Sequence, residues 1–377
     1  MAGVRDAAAL QRALVAWFER HQRAMPWRAT RDPYRVWVSE IMLQQTQVAT
    51  ATPYYERFVA RFPDVSTLAA ADRDQVLAAW SGLGYYRRAR MLHEAALVVV
   101  REHAGVVPSD PRAFGELPGV GRYTLGAVLS IGFGASLPVL DGNVARVFSR
   151  LSGRPLAIKR PADAKALWAM AEALMPAPVA GPGRRRTGAI DPGQWNQALM
   201  ELGALVCTPR SPRCPACPVR RHCAAFATGR QDELPPVSER RASEKVRRAL
   251  VRIEHRGRVL VVRREGALLA GLWEPPGVEL ARGDDAAQRL SERLLELGVR
   301  ARLSDRGVRV RHTITHHDID VRVFEGRLTS PAPRATTRLC WAEPGTRELA
   351  LSALGRRVIG PVAARRAGTR GPSARGR

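Results

Sequence analysis

Apolar residues recur with a helical period at the start of the chain. Leu10, Leu14, Trp17 and Phe18 follow i, i+4, i+7 and i+8 spacing, which places them on one face of an α-helix. Segments of similar spacing, several of them bounded by proline, continue to about Val100. The pattern predicts that the first half of the chain is all-α.

The pattern changes in the second half. Short β-branched runs at Val246–Ile253, Val259–Arg263 and Ile319–Phe324 are typical of strands, and Asp284–Leu297 has the spacing of a helix. Strands interspersed with a helix predict a compact α+β module.

Two stretches without periodicity interrupt this organisation. Residues 176–193 are rich in Pro, Gly and Arg and predict a surface insertion between helices, whereas residues 229–245 predict a linker. The C-terminal segment, with several Arg and Gly and no acid, is typical of disorder. We therefore expect a helical domain over 1–228, a second domain over 246–360 and a disordered basic tail over 361–377.

The chain of 377 residues carries 60 Lys and Arg against 35 Asp and Glu, a formal net charge of +25. Such an excess indicates a polyanionic partner, with nucleic acid as the leading candidate. A protein whose surface arginines have no binding role would have the same composition. No apolar stretch reaches the ~18 residues that span a bilayer. We therefore expect a cytoplasmic, nucleoid-associated protein that does not bind membranes.

The cysteines are unevenly distributed. Cys207, Cys214, Cys217 and Cys223 lie close together, whereas Cys340 stands alone. Crowded soft thiolates in a loop rich in Pro and Arg indicate metal ligation rather than a core of free thiols. Four thiolates suit zinc or an iron-sulfur cluster. Structural zinc more often uses two close C-x2-C pairs, and only one is present, so the spacing favours an iron-sulfur cluster.

Two glycines mark a predicted turn at residues 117–124, LPGVGRYT, directly before the apolar helical run Leu125–Ile131. Gly119 and Gly121, with Val120 between them, permit positive φ angles and let a phosphate approach the backbone beside the unpaired N–H groups of the next helix. A helix hairpin of this kind binds DNA without reading its sequence. The G-x-G motif alone is also typical of an ordinary turn.

Binding without sequence preference suits an enzyme that extrudes a damaged base and cleaves its glycosidic bond. Such chemistry commonly uses one carboxylic acid to protonate the leaving group and one carboxylate to stabilise a cationic transition state. Asp141 lies in the apolar segment VLDGNV, where it requires hydrogen bonds such as those Asn143 could supply. Its local sequence fits equally well the N-cap of the helix that follows.

Glu40 lies in the predicted helical stretch Val36–Gln47 and has apolar neighbours. Burial there would raise its pKa and suit a general acid, although a Glu on a helix is more often solvated. The amides Gln44, Gln45 and Gln47 follow. Amide side chains suit a nucleic acid because they hydrogen-bond base edges or fill the gap left by an extruded base.

Together these segments resemble the helix-hairpin-helix, iron-sulfur glycosylase superfamily that includes endonuclease III, and more closely its MutY-type adenine glycosylases. The resemblance runs from about Met25 to Cys223. Its most specific pieces, besides the cysteine spacing, are SEIMLQQTQV (39–48), GLGYYRRAR (82–90), LPGVGRYTLGAV (117–128) and VLDGNVARV (139–147). It implies a helix-hairpin-helix glycosylase domain with an iron-sulfur loop.

The resemblance also implies individual roles. Glu40 would protonate adenine N7 and then direct water, Asp141 would stabilise the sugar cation, and Tyr123 and Asn143 would orient these carboxylates. The four clustered cysteines would hold a [4Fe-4S] cluster. The residues expected to contact DNA are Arg28, Gln45, Thr46, Tyr85, Gly119, Val120 and Gly121, of which Gln45 and Tyr85 would wedge into the duplex.

Tyr123 discriminates within the superfamily. Glycosylases that also nick the strand need an amine nucleophile, and endonuclease III-like sequences place Lys where this chain has Tyr123. The chain contains only Lys159, Lys165 and Lys245, none near the hairpin. The resemblance therefore implies a monofunctional glycosylase with little or no lyase activity.

The second domain resembles a Nudix fold through GLWEPPG at residues 271–277. The following SERLLELG keeps only Glu292 and Glu296 of the expected metal-binding carboxylates, too few for a magnesium site, so recognition without hydrolysis is expected. Within RHTITHH (311–317), Thr315 and His316 would contact 8-oxoguanine, although Ile314 replaces the aromatic residue expected before them. The alternative is a strand whose three histidines simply face outward or bind a metal ion.

The expected partner is double-stranded DNA that carries adenine opposite 8-oxoguanine or guanine, bound by a monomer in base excision repair. Three rivals stay open at this point. They are a thymine or uracil mismatch glycosylase, a catalytically idle DNA-damage binding protein, and a Nudix hydrolase fused to a DNA-binding module.

Overall fold

The computed structural model describes residues 6–177, 189–236, 243–265, 269–314 and 317–360. Thr315, His316, most of the predicted insertion and the predicted tail therefore lie outside the described residues. Within the described residues the chain forms two compact units, one drawn from residues 1–71 and 87–240 and the other from residues 72–86 and 241–377.

The elements of the described residues are as follows. The helices are α1 (Ala7–His21), α2 (Pro33–Leu43), α3 (Val48–Arg61), α4 (Val65–Ala70), α5 (Arg73–Trp80), α6 (Arg87–Glu102), α7 (Pro111–Gly115), α8 (Arg122–Phe133), α9 (Gly142–Ser152), α10 (Pro161–Ala173), α11 (Pro192–Leu205), α12 (Ala224–Ala227), α13 (Ala286–Glu296) and α14 (Ala353–Ile359). The strands are β1 (Glu244–His255), β2 (Arg258–Arg263), β3 (Trp273–Glu274), β4 (Gly277–Glu279), β5 (Ala301–Ile314), β6 (His317–Leu328) and β7 (Leu339–Ala342).

The first unit is helical throughout its described residues, which confirms the all-α prediction. The four periodic residues of α1 are buried, as expected. Aspartate side chains accept a backbone N–H at the start of several helices, and a proline directly follows the cap in α2, α7 and α11. Such Asp-Pro pairs satisfy an unpaired donor and preset the helical φ angle, so the chain itself determines where these helices begin.

Helix α11 organises the interior of the first unit, where it packs against α1, α8 and α9. A Cβ on Gly203 of α11 would lie 2.6 Å from Cβ of Asn143. Glycine is therefore required for α11 to approach the first turn of α9 this closely.

The second unit contains a seven-stranded sheet with the order β3-β2-β1-β6-β5, to which β4 adds beside β1 and β7 beside β2. Strand β1 runs parallel to β6 and antiparallel to β2. Its alternate residues serve two cores: Val251 packs with Leu290 of α13, whereas Leu250 packs with Leu354 of α14. Burial on both faces explains the continuous apolar run in this strand. The predicted strands and α13 are confirmed.

None of the helices among the described residues is both long and apolar enough to cross a bilayer.

Candidate active site

A cavity of about 1010 Å³ opens in the first unit between α2, α8, α9 and α11. All four residues with an expected catalytic role, Glu40, Tyr123, Asp141 and Asn143, line it. Glu40 and Asn143 are 103 positions apart in sequence, so the fold is what brings these residues together.

Glu40 is buried, with 6% of its surface exposed, unlike the solvated helix carboxylate that its local sequence also allows. The Tyr123 hydroxyl donates to its Oε2 at 2.7 Å. Burial raises the pKa of Glu40 to about 7, and the charge of Asp141 adds to this effect, whereas the Tyr123 hydrogen bond and Arg28 oppose it. Near neutral pH this carboxyl group can therefore either hold or release a proton.

Asp141 is both a helix cap and a cavity residue. Its Oδ1 accepts the backbone N–H of Val144 at 2.7 Å and caps α9, while Oδ2 accepts a bond from Asn143 Nδ2 at 3.0 Å. Burial raises its pKa, against the opposing effect of these hydrogen bonds and of Arg146. The two interpretations that the sequence left open are thus compatible.

A chain of hydrogen bonds leads from Asp141 to the cysteine loop. Arg146 donates to Asn143 Oδ1 at 2.9 Å, to the Gly203 carbonyl at 2.8 Å and to the Cys207 carbonyl at 2.7 Å. Arg150, one turn further along α9, donates to the Thr208 carbonyl at 2.8 Å. Arg146 thus fixes the orientation of Asn143, and both arginines tie α9 to the loop.

All four clustered cysteines line one small cavity, together with Arg150. Among the described residues, no group of three or more His, Cys, Asp or Glu side chains converges on a point that one metal ion could occupy. Four cysteine thiolates around one cavity are a donor set that fits an iron-sulfur cluster.

Glu201 of α11 is a cavity residue that the sequence did not indicate. It is 1% exposed and accepts from Arg23 Nη2 at 2.8 Å and from Arg28 Nη2 at 3.0 Å. Burial alone would raise its pKa, but the two arginines outweigh burial and lower it to about 2. Arg28, expected at the DNA, thus lies inside the cavity as the partner of a permanent anion.

Helix α2 ends at Leu43, so the predicted helical stretch to Gln47 is wrong at its C-terminal end. Gln45 has φ +56°, the left-handed conformation that terminates a helix, and its side chain is exposed. Gln45 and Thr46 line the cavity, and Gln44 Nε2 donates to Thr124 Oγ1 at 3.4 Å.

The glycine turn joins α7 to α8 as predicted. Gly119 has φ +78°, and a Cβ there would lie 2.6 Å from Cβ of Met91, so the position requires glycine. Gly121 is the N-cap of α8, and a Cβ there would meet no atom of the chain within 4 Å. The hairpin is thus exposed at Gly119 and Gly121, close in sequence to Tyr123.

Tyr85 belongs to the second unit, within residues 72–86. It has φ +50° and is 41% exposed. The same unit contains the two retained Nudix carboxylates, which pair with arginines of their own helix: Glu292 with Arg289 at 3.2 Å and Glu296 with Arg293 at 2.8 Å.

Three residues of the site were not identified from the sequence: Arg146, Arg150 and Glu201. The four-residue spacing of the two arginines after Asp141 was a usable signal, because it places both on one face of α9. Glu201 offered none, since its partners Arg23 and Arg28 are distant in the chain.

The chain matches known families in both halves. Residues 38–170 match the model of the HhH-GPD superfamily of base excision DNA repair proteins, and residues 248–360 match the NUDIX domain. A solved structure of a thermostable thymine-DNA glycosylase is 29% identical, with a TM-score of 0.50, and the match covers 59% of this chain and 97% of that one.

Two curated relatives bear the same name. An adenine DNA glycosylase of Mus musculus is 34% identical over 404 aligned positions, which cover 90% of this chain and 75% of the relative. One of Homo sapiens is 41% identical over 240 positions, which cover 61% of this chain and 42% of the human protein, less than half its length. The chain therefore belongs to the adenine DNA glycosylase family, in the helix-hairpin-helix superfamily of base excision repair proteins, and carries a Nudix domain.

Proposed function

We propose that this protein is a monofunctional DNA glycosylase that hydrolyses the N-glycosidic bond of adenine paired with 8-oxoguanine or guanine in double-stranded DNA, and that it acts as a monomer at the nucleoid. The observation that carries the proposal is the buried Glu40, whose pKa is raised to about 7 beside Asp141 in a cavity large enough for a base. The name borne by the relatives supports the choice of adenine.

In this mechanism the protonated Glu40 donates its proton to adenine N7, which weakens the bond to the sugar. Asp141, held by Asn143 and the α9 backbone, stabilises the cationic sugar. Tyr123 keeps Glu40 in one rotamer through its 2.7 Å hydrogen bond. After departure of adenine, the now ionised Glu40 directs a water molecule to the sugar.

Absence of strand cleavage rests on the lack of a suitable amine. A lyase step needs an amine that forms a Schiff base with the sugar. None of Lys159, Lys165 and Lys245, all of which the structure describes, lines the cavity. Tyr123 occupies the hairpin position where the resemblance to endonuclease III-like sequences implies a Lys in enzymes that cleave the strand.

DNA would be held without sequence preference. The open backbone around Gly119, Val120 and Gly121 suits a phosphate at the start of α8. Gln45, Thr46 and Tyr85 would fill and support the distorted duplex, since two of them adopt the left-handed conformation on exposed turns. Arg28, inside the cavity, would meet the extruded nucleotide rather than the duplex.

Cys207, Cys214, Cys217 and Cys223 would hold a [4Fe-4S] cluster. Such a group would supply structure to the loop, whose arginines would then face phosphates in a fixed arrangement. About four irons per chain by elemental analysis is the expected result, and stoichiometric zinc in place of iron would contradict this assignment.

The second domain, 246–360 after the linker 229–245, would recognise the base opposite adenine. Thr315 and His316 are the residues proposed to contact 8-oxoguanine. Hydrolysis of nucleotides is disfavoured because Glu292 and Glu296 are each paired with arginine.

The test is a single-turnover excision assay on duplexes that pair adenine with 8-oxoguanine or guanine, and thymine or uracil with guanine. Release of adenine, with abasic strands that break only in alkali, is expected. Release of thymine alone would overturn the assignment, and binding without release of any base would indicate the idle damage-binding protein. A chain ending at residue 245 should lose discrimination between 8-oxoguanine and guanine.

A further inference from the structure

The turn after α2 carries Gln45 in a conformation that needs outside support. A non-glycine residue at φ +56° is disfavoured on its own and persists where neighbouring contacts hold it. Thr46 N donates to the Leu43 carbonyl at 3.2 Å, which closes the turn locally. Gln44 is tied to Thr124 beside the hairpin. These bonds do not involve the carbonyl groups of Ile41, Met42 and Gln44, which need another donor.

Arg88 of α6 supplies those bonds. The two protons of its Nη1 are shared among three acceptors, the Ile41 carbonyl at 2.8 Å, the Met42 carbonyl at 3.0 Å and the Gln44 carbonyl, and its Nη2 donates to Thr46 Oγ1 at 3.3 Å. The final carbonyls of a helix lack partners within the helix and carry its negative dipole end. A planar cation with several donors satisfies them together.

This arrangement assigns Arg88 a role at the mispair. We propose that Arg88 is a positioning residue that holds Gln45 in its left-handed conformation, poised to enter the duplex, and fixes the end of the helix that carries Glu40. Glu40 lies one turn before Gln44. The guanidinium of Arg88 therefore supports both Gln45, which enters the duplex, and Glu40, which acts as the acid. The inference rests on the proposed function, because it takes Gln45 to be the group that enters the duplex.

The test uses variants that separate charge from geometry. Arg88→Lys keeps the positive charge but lacks the planar guanidinium that bonds the three carbonyls and Thr46. Arg88→Met removes the charge and keeps most of the aliphatic part of the side chain. Arg101→Met is the matched control, since Arg101 lies on the last turn of the same helix, exposed and paired with Glu102. Thermal denaturation first establishes the folded fraction of each variant.

The readout is the fluorescence of 2-aminopurine, an adenine analogue, placed opposite 8-oxoguanine, which reports extrusion of the base without needing catalysis. Arg88→Met should reduce the extrusion equilibrium about tenfold or more, because a hydrogen bond from a charged group contributes at least that factor. Arg88→Lys should lie between Arg88→Met and wild type, and Arg101→Met should match wild type.

A double-mutant cycle with Gln45→Ala locates the effect. If Arg88 acts through Gln45, its loss should change extrusion little in the Gln45→Ala background. Normal extrusion by Arg88→Met, a loss no greater than the loss of folded protein, or full additivity with Gln45→Ala would each overturn the proposal. Failure of the wild-type protein to extrude the analogue would instead overturn the proposed function.

Discussion

Two pairs of carboxylates, one in each unit, show how surroundings decide what an acid can do. Glu40 and Asp141 line a cavity and accept hydrogen bonds from neutral groups, the hydroxyl of Tyr123 and the amide of Asn143. The α13 carboxylates are 46% and 64% exposed and pair with arginines of the same helix. Exposed ion pairs of that kind contribute about 0–1 kcal/mol. A buried carboxyl group with neutral partners can exchange its proton, whereas the α13 carboxylates are ordinary surface ion pairs.

Glu201 shows that burial alone does not raise the pKa of a carboxyl group in this cavity. It lines the same cavity as Glu40 and is still less exposed, yet its pKa is lowered to about 2 whereas that of Glu40 is raised to about 7. Two arginines hydrogen-bond to Glu201, whereas Arg28 acts on Glu40 through its charge alone. The cations therefore decide which carboxylate stays ionised.

The largest effect is expected on the rate of adenine release, from substitution of either member of the catalytic pair. Glu40→Gln and Asp141→Asn should each lower the single-turnover rate of adenine release by about 10³-fold or more, since one loses the acid and the other the counter-charge. Binding of the mispaired duplex should survive. Glu292→Gln and Glu296→Gln are the matched controls and should excise at the wild-type rate; an equal loss in these controls would remove the contrast between the two pairs.

Local periodicity predicted most of the fold, because α1, β1, β2 and α13 each bury a face that the apolar pattern already marks. It extended α2 too far, since the end of that helix depends on Arg88, which lies 44 residues after Gln44. The candidate site was predictable only in part. The sequence marks Glu40, Asp141 and the cysteines, but the bond between Arg23 and Glu201 joins residues 178 positions apart, and such pairs become visible only in the folded chain.

Glu201→Gln should have the next largest effect, on stability. Removing one partner of a buried ion pair leaves the others uncompensated and costs about 3–5 kcal/mol. Denaturation by urea should therefore show a large fall in the free energy of unfolding, whereas Glu292→Gln should change it by less than about 0.5 kcal/mol. An unchanged midpoint in Glu201→Gln would mean that Arg23 and Arg28 find other partners.

Glu40→Gln should change stability in the opposite direction. The folded pKa of Glu40, about 7, lies above its ordinary value of 4.5, so its contribution to stability is fully present below pH 4.5 and is lost as the pH rises through 7. At pH 8 the wild type bears a buried charge that Gln lacks, and the variant should be more stable by up to about 3 kcal/mol. At pH 4.5 the two proteins should unfold alike; a gain independent of pH would point to packing instead.

The smallest expected effect concerns the pH dependence of the rate. Catalysis needs Glu40 protonated, so the single-turnover rate should hold up to about pH 7 and then fall about tenfold per unit. Because the Tyr123 hydrogen bond lowers the pKa of Glu40, Tyr123→Phe should move this alkaline limb to higher pH even if it slows the reaction. Asp141 must be ionised, and its own raised pKa sets the acid limb. A shift of the alkaline limb to lower pH in Tyr123→Phe would show that Tyr123 stabilises the protonated acid rather than its anion, which is the reverse of the effect on which this prediction depends.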